Sequence, residues 1–210
     1  MGEKPYNPLD YENLTINLVR ELMSRPLQQL PPDPPFEGPG VYALFYSGAF
    51  PPYVSIASPK ATRPIYVGKA VPPGARTGRR STASGRPLYG RLREHAESIT
   101  ATTLQLGDFA CRYLVVVPLW ITMAERFLME HYRPVWNVCI EGFGIHDPGS
   151  GRYEGEISWW DALHPGRSFA ANLRQTRTEQ QAIARLGEFL SNPQVAATAL
   201  GEATGTDEDP

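Results

Sequence analysis

Two spacings of apolar residues run through this chain. Between residues 10 and 24, Leu14, Ile16, Leu18, Val19, Leu22 and Met23 supply an apolar side behind Asp10, a residue type that caps helix N-termini. The stretch therefore predicts an amphipathic helix packed on a core or a partner. A second stripe follows Pro87, which suits a first helical position, through Leu88, Leu92, Ala96 and Ile99. A third runs from about Leu119 to Tyr132, with Ile121, Ala124, Phe127, Leu128 and Tyr132 turned inward and Arg133-Pro134 ending it. Residues 178–191 predict a last, surface helix around Ile183, Leu186, Phe189 and Leu190.

The other spacing is shorter. Val41-Tyr42-Ala43-Leu44-Phe45-Tyr46 and Pro64-Ile65-Tyr66-Val67 are brief runs of β-branched and aromatic residues, which predict buried strands. Joined by a polar, Pro-rich connection, they read as an antiparallel pair that brings Tyr42 and Tyr66 to one region of a sheet. Arg112 to Val117, apolar from Tyr113 onward, predicts a central strand stopped by Pro118. Pro31-Pro32-Asp33-Pro34-Pro35 predicts a stiff extended spacer. Ser47 to Arg63 reads as a long turn-rich loop, Gly142 to Arg167 as a loop with glycines and two histidines, and the chain beyond Asn192 as a poorly ordered tail.

Composition changes the picture in two places. No apolar run approaches a membrane span and the N-terminus has no basic-then-apolar signal, so a cytoplasmic protein without membrane association is expected from the 210 residues. Cys111 and Cys139 are too few for a disulfide framework and have no zinc-like spacing. The net charge of −2 conceals an uneven distribution. Lys60, Arg63, Lys69, Arg76, Arg79, Arg80, Arg86, Arg91 and Arg93 face only Glu94 across residues 60–95, whereas the last ten residues carry Glu202, Asp207, Glu208 and Asp209 and no base. A polyanion would meet the middle of the chain, although a solvated basic loop has the same composition.

Taken alone, Tyr42 and Tyr66 are as readily two core tyrosines as two parts of a site. The order of other residues decides between these. Gly40-Val41-Tyr42 and Tyr66-Val67-Gly68 are followed by Arg91-Leu92-Arg93-Glu94-His95 on one predicted helix, Glu125 on the next and Asn137 just after it. This ordered set resembles the GIY-YIG nuclease superfamily. Gly142-Phe143-Gly144-Ile145-His146-Asp147-Pro148-Gly149-Ser150-Gly151-Arg152, then Trp160-Asp161 and His164-Pro165-Gly166-Arg167, are similar to its small type II restriction endonucleases, so the resemblance spans about residues 36–168.

The resemblance implies an α+β fold, a small and mainly antiparallel sheet flanked by helices. Its expected parts are an N-terminal helix and spacer (1–38), a nuclease core (39–140) with an Arg-rich insertion (70–87), C-terminal loops and a helix packed on the core (141–192), and a disordered acidic tail (193–210). Phosphodiester hydrolysis needs an activated water, neutralised phosphoryl oxygens and help for the departing oxygen. Glu125 is the expected ligand of one Mg²⁺, with Mn²⁺ as a substitute, and Arg91 offers a fork suited to phosphate. Tyr42 is expected to take a proton from the attacking water, His95 to share that role, and Tyr66 to orient water or phosphate. Lys69 or Arg91 would favour a phenolate, and Asn137 would donate to backbone or to the site's carboxylate. Arg76, Arg79, Arg80, Arg86 and Arg93 are the expected DNA contacts, although a flexible surface insertion fits residues 70–87 as well. His146 and His164 match the restriction-enzyme branch without an assigned task, and Glu130 and His131 read as surface.

The resemblance also implies double-stranded DNA as substrate, a homodimer to cut both strands of a palindrome, and a DNA methyltransferase acting on the same site. Homing and structure-selective repair nucleases share the superfamily but usually append a separate DNA-binding domain, and none is evident. A catalytically idle DNA-binding module would lack site residues, and all are present.

Overall fold

The strand Gly40–Tyr46 (β2) is buried along its whole length, which explains why its sequence is continuously apolar rather than alternating. Tyr42, Leu44 and Tyr46 face one cluster of buried residues, and Val41, Ala43 and Phe45 face another. The computed structural model describes residues 7, 9–71, 85–147, 149, 151 and 153–192. Arg76, Arg79 and Arg80, most of the predicted insertion, and the predicted acidic tail from residue 193 lie outside the described residues.

The elements are α1 (Tyr11–Ser24), β1 (Gln28–Gln29), β2, β3 (Tyr66–Ala70), α2 (Pro87–Thr100), β4 (Phe109–Val115), α3 (Ile121–Tyr132), α4 (Val135–Val138), α5 (Trp159–Leu163) and α6 (Glu179–Ser191). The sheet has the order β1-β4-β2-β3, with every pair antiparallel. One face carries α1 and α3 through Leu22, Ile121, Ala124 and Leu128. The other carries α2 through Leu88, Leu92, Ala96 and Ile99, together with Trp136, Phe143, Trp160, Leu163, Ala182 and Leu186 from the C-terminal part of the chain. This is the expected α+β arrangement of a small antiparallel sheet between helices.

Several local expectations are corrected. Asp10 stands at the N-cap of α1 but makes no side-chain cap bond, and its carboxylate instead accepts from Asn7 Nδ2. Ile16 points outward, and Leu22 is the buried residue of α1. β4, expected over Arg112 to Val117, runs from Phe109 to Val115, because its partner β2 begins at Gly40, opposite Val115. Pro118–Trp120 then forms a 3₁₀ turn that precedes α3. The loop from Ser47 holds another 3₁₀ turn, Pro51–Ile56, which places Tyr53 and Ile56 in the core. The stretch from Gly142 to Arg167 is not all loop, since Ser158 caps α5 by accepting from the Asp161 N–H. Ile183 of α6 is exposed, and Ala182 with Leu186 makes its buried contact.

Candidate active site

The register of β2 and β3 builds one half of the site. Tyr42 pairs with Gly68 and Leu44 with Tyr66, so the two tyrosines are diagonal neighbours on one face, their rings 6.2 Å apart. Gly68 has a packing reason, since a Cβ there would overlap the Tyr42 hydroxyl. Arg91 and His95 lie one turn apart on α2, which covers this face. The His95 ring sits 5.3 Å from Tyr42 and 5.2 Å from Tyr66, stacked on Phe143 at 4.4 Å.

Tyr42 Oη and His95 Nε2 are 2.5 Å apart and both residues are buried. Burial pushes the Tyr42 phenol well above its ordinary range, with Tyr66 adding to the shift and Arg91 opposing it. Burial, then the nearby Arg91, holds His95 well below the ordinary histidine range, so its imidazole is neutral. Tyr66 is raised by burial, against the pull of Arg91. Of the two basic residues expected to favour a phenolate, Arg91 is the one that acts on Tyr42.

The other half comes from the opposite face. Lys69, between Gly68 and Ala70, has the opposite parity to Tyr66 and pairs with Glu125 of α3, Nζ to Oε2 at 2.7 Å. Their side chains are 31% and 19% exposed. Lys69 is thus the ion-pair partner of Glu125. Lys69 also lies 3.4 Å from Thr122 Oγ1. Because β3 is an edge strand, groups from both faces meet around it, and Glu125 is near enough to Tyr66 to raise its pKa. Lys69, Thr122, Arg91, Glu94 and His146 supply the polar lining of an open cavity of about 910 Å³, whose other walls include Ala70, Val71 and Pro118.

Asn137 lies within α4. Its Oδ1 accepts from the Val67 N–H at 2.8 Å, and its Nδ2 donates to the Val67 carbonyl at 2.9 Å. The carboxamide therefore acts as a one-residue strand partner on the free edge of β3, between Tyr66 and Gly68. Of the two expected roles, backbone bonding is the one observed.

Arg91 is fixed by three partners. Nη1 reaches Glu94 Oε2 at 3.0 Å and contacts His146 Nε2, while Nη2 donates to the Gly144 carbonyl at 2.6 Å. Gly144 must lack a side chain, because a Cβ would meet the Tyr66 hydroxyl and Arg91 Nη2. The loop bearing Gly144 is held from below by Arg167, which donates to the carbonyls of Gly142, Phe143 and Ile145 and pairs with Asp161 through both carboxylate oxygens at 2.7 Å. All five N–H donors of Arg167 are used in a pair only 4% and 1% exposed.

Other expected residues are placed elsewhere. Arg93, two positions from Arg91 and so on another face of α2, pairs with Glu97 and borders a separate recess with Pro31 and Ala96. Arg86 is exposed at the N-cap of α2, next to Pro87 at the cavity. Glu130 is on the surface, joined to Arg126 and to Tyr11 of α1. His131 is exposed on the surface as expected, with partial desolvation holding its pKa below the ordinary value.

His164 belongs to the core. Trp136 Nε1 donates to Tyr53 Oη at 2.8 Å, and the Tyr53 hydroxyl is hydrogen-bonded in turn to His164 Nε2, 2.6 Å away. Burial pushes His164 down from 6.5 to about 3. At pH values between these limits the unfolded chain binds a proton that the folded chain refuses, so stability is complete above about pH 6.5 and falls as pH drops toward 3. The expected loss is roughly 1.4 kcal/mol per pH unit for each such histidine. Urea midpoints at pH 7, 6, 5 and 4 should fall steadily. His164→Gln should flatten the slope in part, leaving the share due to the other lowered histidines, the buried His95 first among them.

A family model described as the Eco29kI GIY-YIG domain matches residues 34–189 of this chain. No curated protein matches it.

Proposed function

The chain belongs to the Eco29kI-type family of GIY-YIG nucleases, and on that premise we propose that it is a type II restriction endonuclease, hydrolysing both strands of a specific duplex site with one divalent metal ion per active site. The observation that carries this reading is the meeting of Tyr42, Tyr66, Arg91 and His95 from one face of the sheet with Lys69 and Glu125 from the other, around the edge strand β3.

The donor chemistry suits Mg²⁺, which takes oxygen ligands and is often held by one or two carboxylates plus substrate phosphate. Glu125, partly exposed and beside Lys69, is such a carboxylate. Glu125 would hold the ion there, which would supply Lewis-acid stabilisation of the charge that develops on the phosphodiester. The chain's own groups do the rest. Arg91, anchored by Gly144 through Nη2, presents its guanidinium to the phosphate. As the attacking water gives its proton to Tyr42 Oη, the phenol proton passes to His95 Nε2, so no free phenolate is needed in a buried place that disfavours one. Tyr66 orients water or phosphate, and Asn137 keeps Tyr66 and Gly68 in register by bracing Val67.

Cutting both strands calls for two copies related by a two-fold axis. Specificity needs side chains that reach base edges, and Arg76, Arg79, Arg80 and Arg86 precede the helix that carries Arg91. Arg86→Ala is expected to cost about 1–3 kcal/mol on the cognate duplex and little on random duplex if Arg86 reads a base. A phosphate contact would weaken both and flatten the salt slope. Binding isotherms on the two duplexes at several salt concentrations decide between these, and unchanged binding on both would remove Arg86 from the interface. The overall reading is tested by incubating the protein with plasmid DNA and Mg²⁺ and sequencing the ends. One recurring sequence cut on both strands supports it, and no cleavage or random nicking would refute it.

A further inference from the structure

The segment from Gly142 to His146 is held more firmly than a glycine-rich surface loop requires. Arg167 takes the carbonyls of Gly142, Phe143 and Ile145, and Arg91 takes that of Gly144, so four successive carbonyls are bound to guanidinium groups. The ion pair behind them is buried, and burying two charges is costly unless every hydrogen bond is made. What this framework delivers to the polar cavity is His146, in contact with Arg91 and lining the same space as Lys69 and Thr122.

We propose that His146 is a further substrate-contacting residue of the active site, which joins Arg91 on the phosphodiester when DNA binds. This rests on the reading of the cavity as the site of phosphodiester hydrolysis.

In the free protein His146 Nε2 meets an Arg91 N–H, and an imidazole can accept from a guanidinium only through an unprotonated nitrogen. The charged groups around it are consistent with this neutral form. Burial, Arg91 and, more weakly, Arg167 hold His146 below its ordinary range, and Glu94, 3.4 Å away, opposes them. His95, on the same helix as Arg91 and Glu94, also senses it. A phosphate oxygen arriving at Arg91 Nη1 takes over the accepting role, while Nη2 stays on Gly144. The Nε2 lone pair is then released beside a new anion and beside Glu94, which favours the imidazolium. That imidazolium donates to the phosphate and so adds a second cation beside Arg91. At 61% exposed, His146 contributes little to the core, so its replacement leaves the fold intact.

The test uses Glu125→Ala as the parent, so that nothing is cut, and a random-sequence duplex as the probe. Adding His146→Ala is expected to weaken binding about tenfold at pH 6 and much less at pH 8, and to reduce the salt slope at pH 6 by about one, as loss of one charged phosphate contact predicts. His146→Gln should match the parent at pH 8 but not at pH 6. The His146 imidazole signal, followed by NMR, should titrate at a higher pH in the duplex complex than in the free protein. A loss of equal size at both pH values indicates a merely structural role and overturns the proposal, as does unchanged binding at both. Failure of the parent itself to bind duplex would instead refute the reading of the cavity on which the proposal rests.

Discussion

Glu125→Ala is expected to lower Mg²⁺-dependent cleavage by at least about 10³-fold, more than the ~10²–10³ lost with a single oxyanion donor, because under the proposed function this carboxylate would hold the ion and its charge stabilisation would be lost. Duplex binding should survive. Removing the anion frees the Lys69 ammonium, which rests 2.7 Å from Glu125 Oε2, and so adds a cation to the cavity. Binding is therefore expected to stay the same or tighten, with a salt slope no smaller than that of the unaltered protein. Gel-shift titrations and single-turnover cleavage measure the two quantities separately. Full Mg²⁺-dependent cutting by this variant would remove Glu125 from the metal site.

Tyr42→Phe removes one oxygen from a buried ring and leaves its packing in place. The single-turnover rate is expected to fall at least about 10²-fold, the usual contribution of a positioned proton acceptor. Stability is expected to fall by about 1–3 kcal/mol, since the buried His95 Nε2 loses its partner. Rate and urea midpoint together distinguish chemistry from folding. A rate within about threefold of the unaltered protein at full occupancy excludes the phenol as the proton acceptor.

The half of the site on the α2 face was legible in the sequence for a simple reason. Tyr42 and Tyr66 sit on strands whose every-other-residue alternation sets the face, and Arg91 and His95 are one helical turn apart, so local periodicity already brings them together. The same rule places Arg93, two residues from Arg91, on another side of α2, where it pairs with Glu97. The Lys69–Glu125 pair was less visible, because it depends on α3 crossing the opposite face next to an edge strand. Asn137 carried no local signal for its partner, since the Val67 backbone it braces is 70 residues away.

Gly142 to Arg167 reads as loop because its ordered pieces are short. One signal was available, as Ser158 and Asp161 have the spacing of a helix N-terminal capping pair and do begin α5. The hold of Arg167 on three loop carbonyls had no such signal. It arises from folding a segment back over its own neighbours, which neither hydrophobic period nor composition records.

The most direct measurement of the central claim is a crystal structure of the Tyr42→Phe variant with Mg²⁺ and a duplex carrying the mapped site. This variant keeps Glu125, Arg91 and Lys69 while its chemistry is slowed. The account predicts an ion on Glu125 and the scissile phosphate at Arg91 in the cavity beside β3, with two copies of the chain related by a two-fold axis on the duplex. An ion held by other residues, or a scissile phosphate bound away from Arg91 and Glu125, would contradict it.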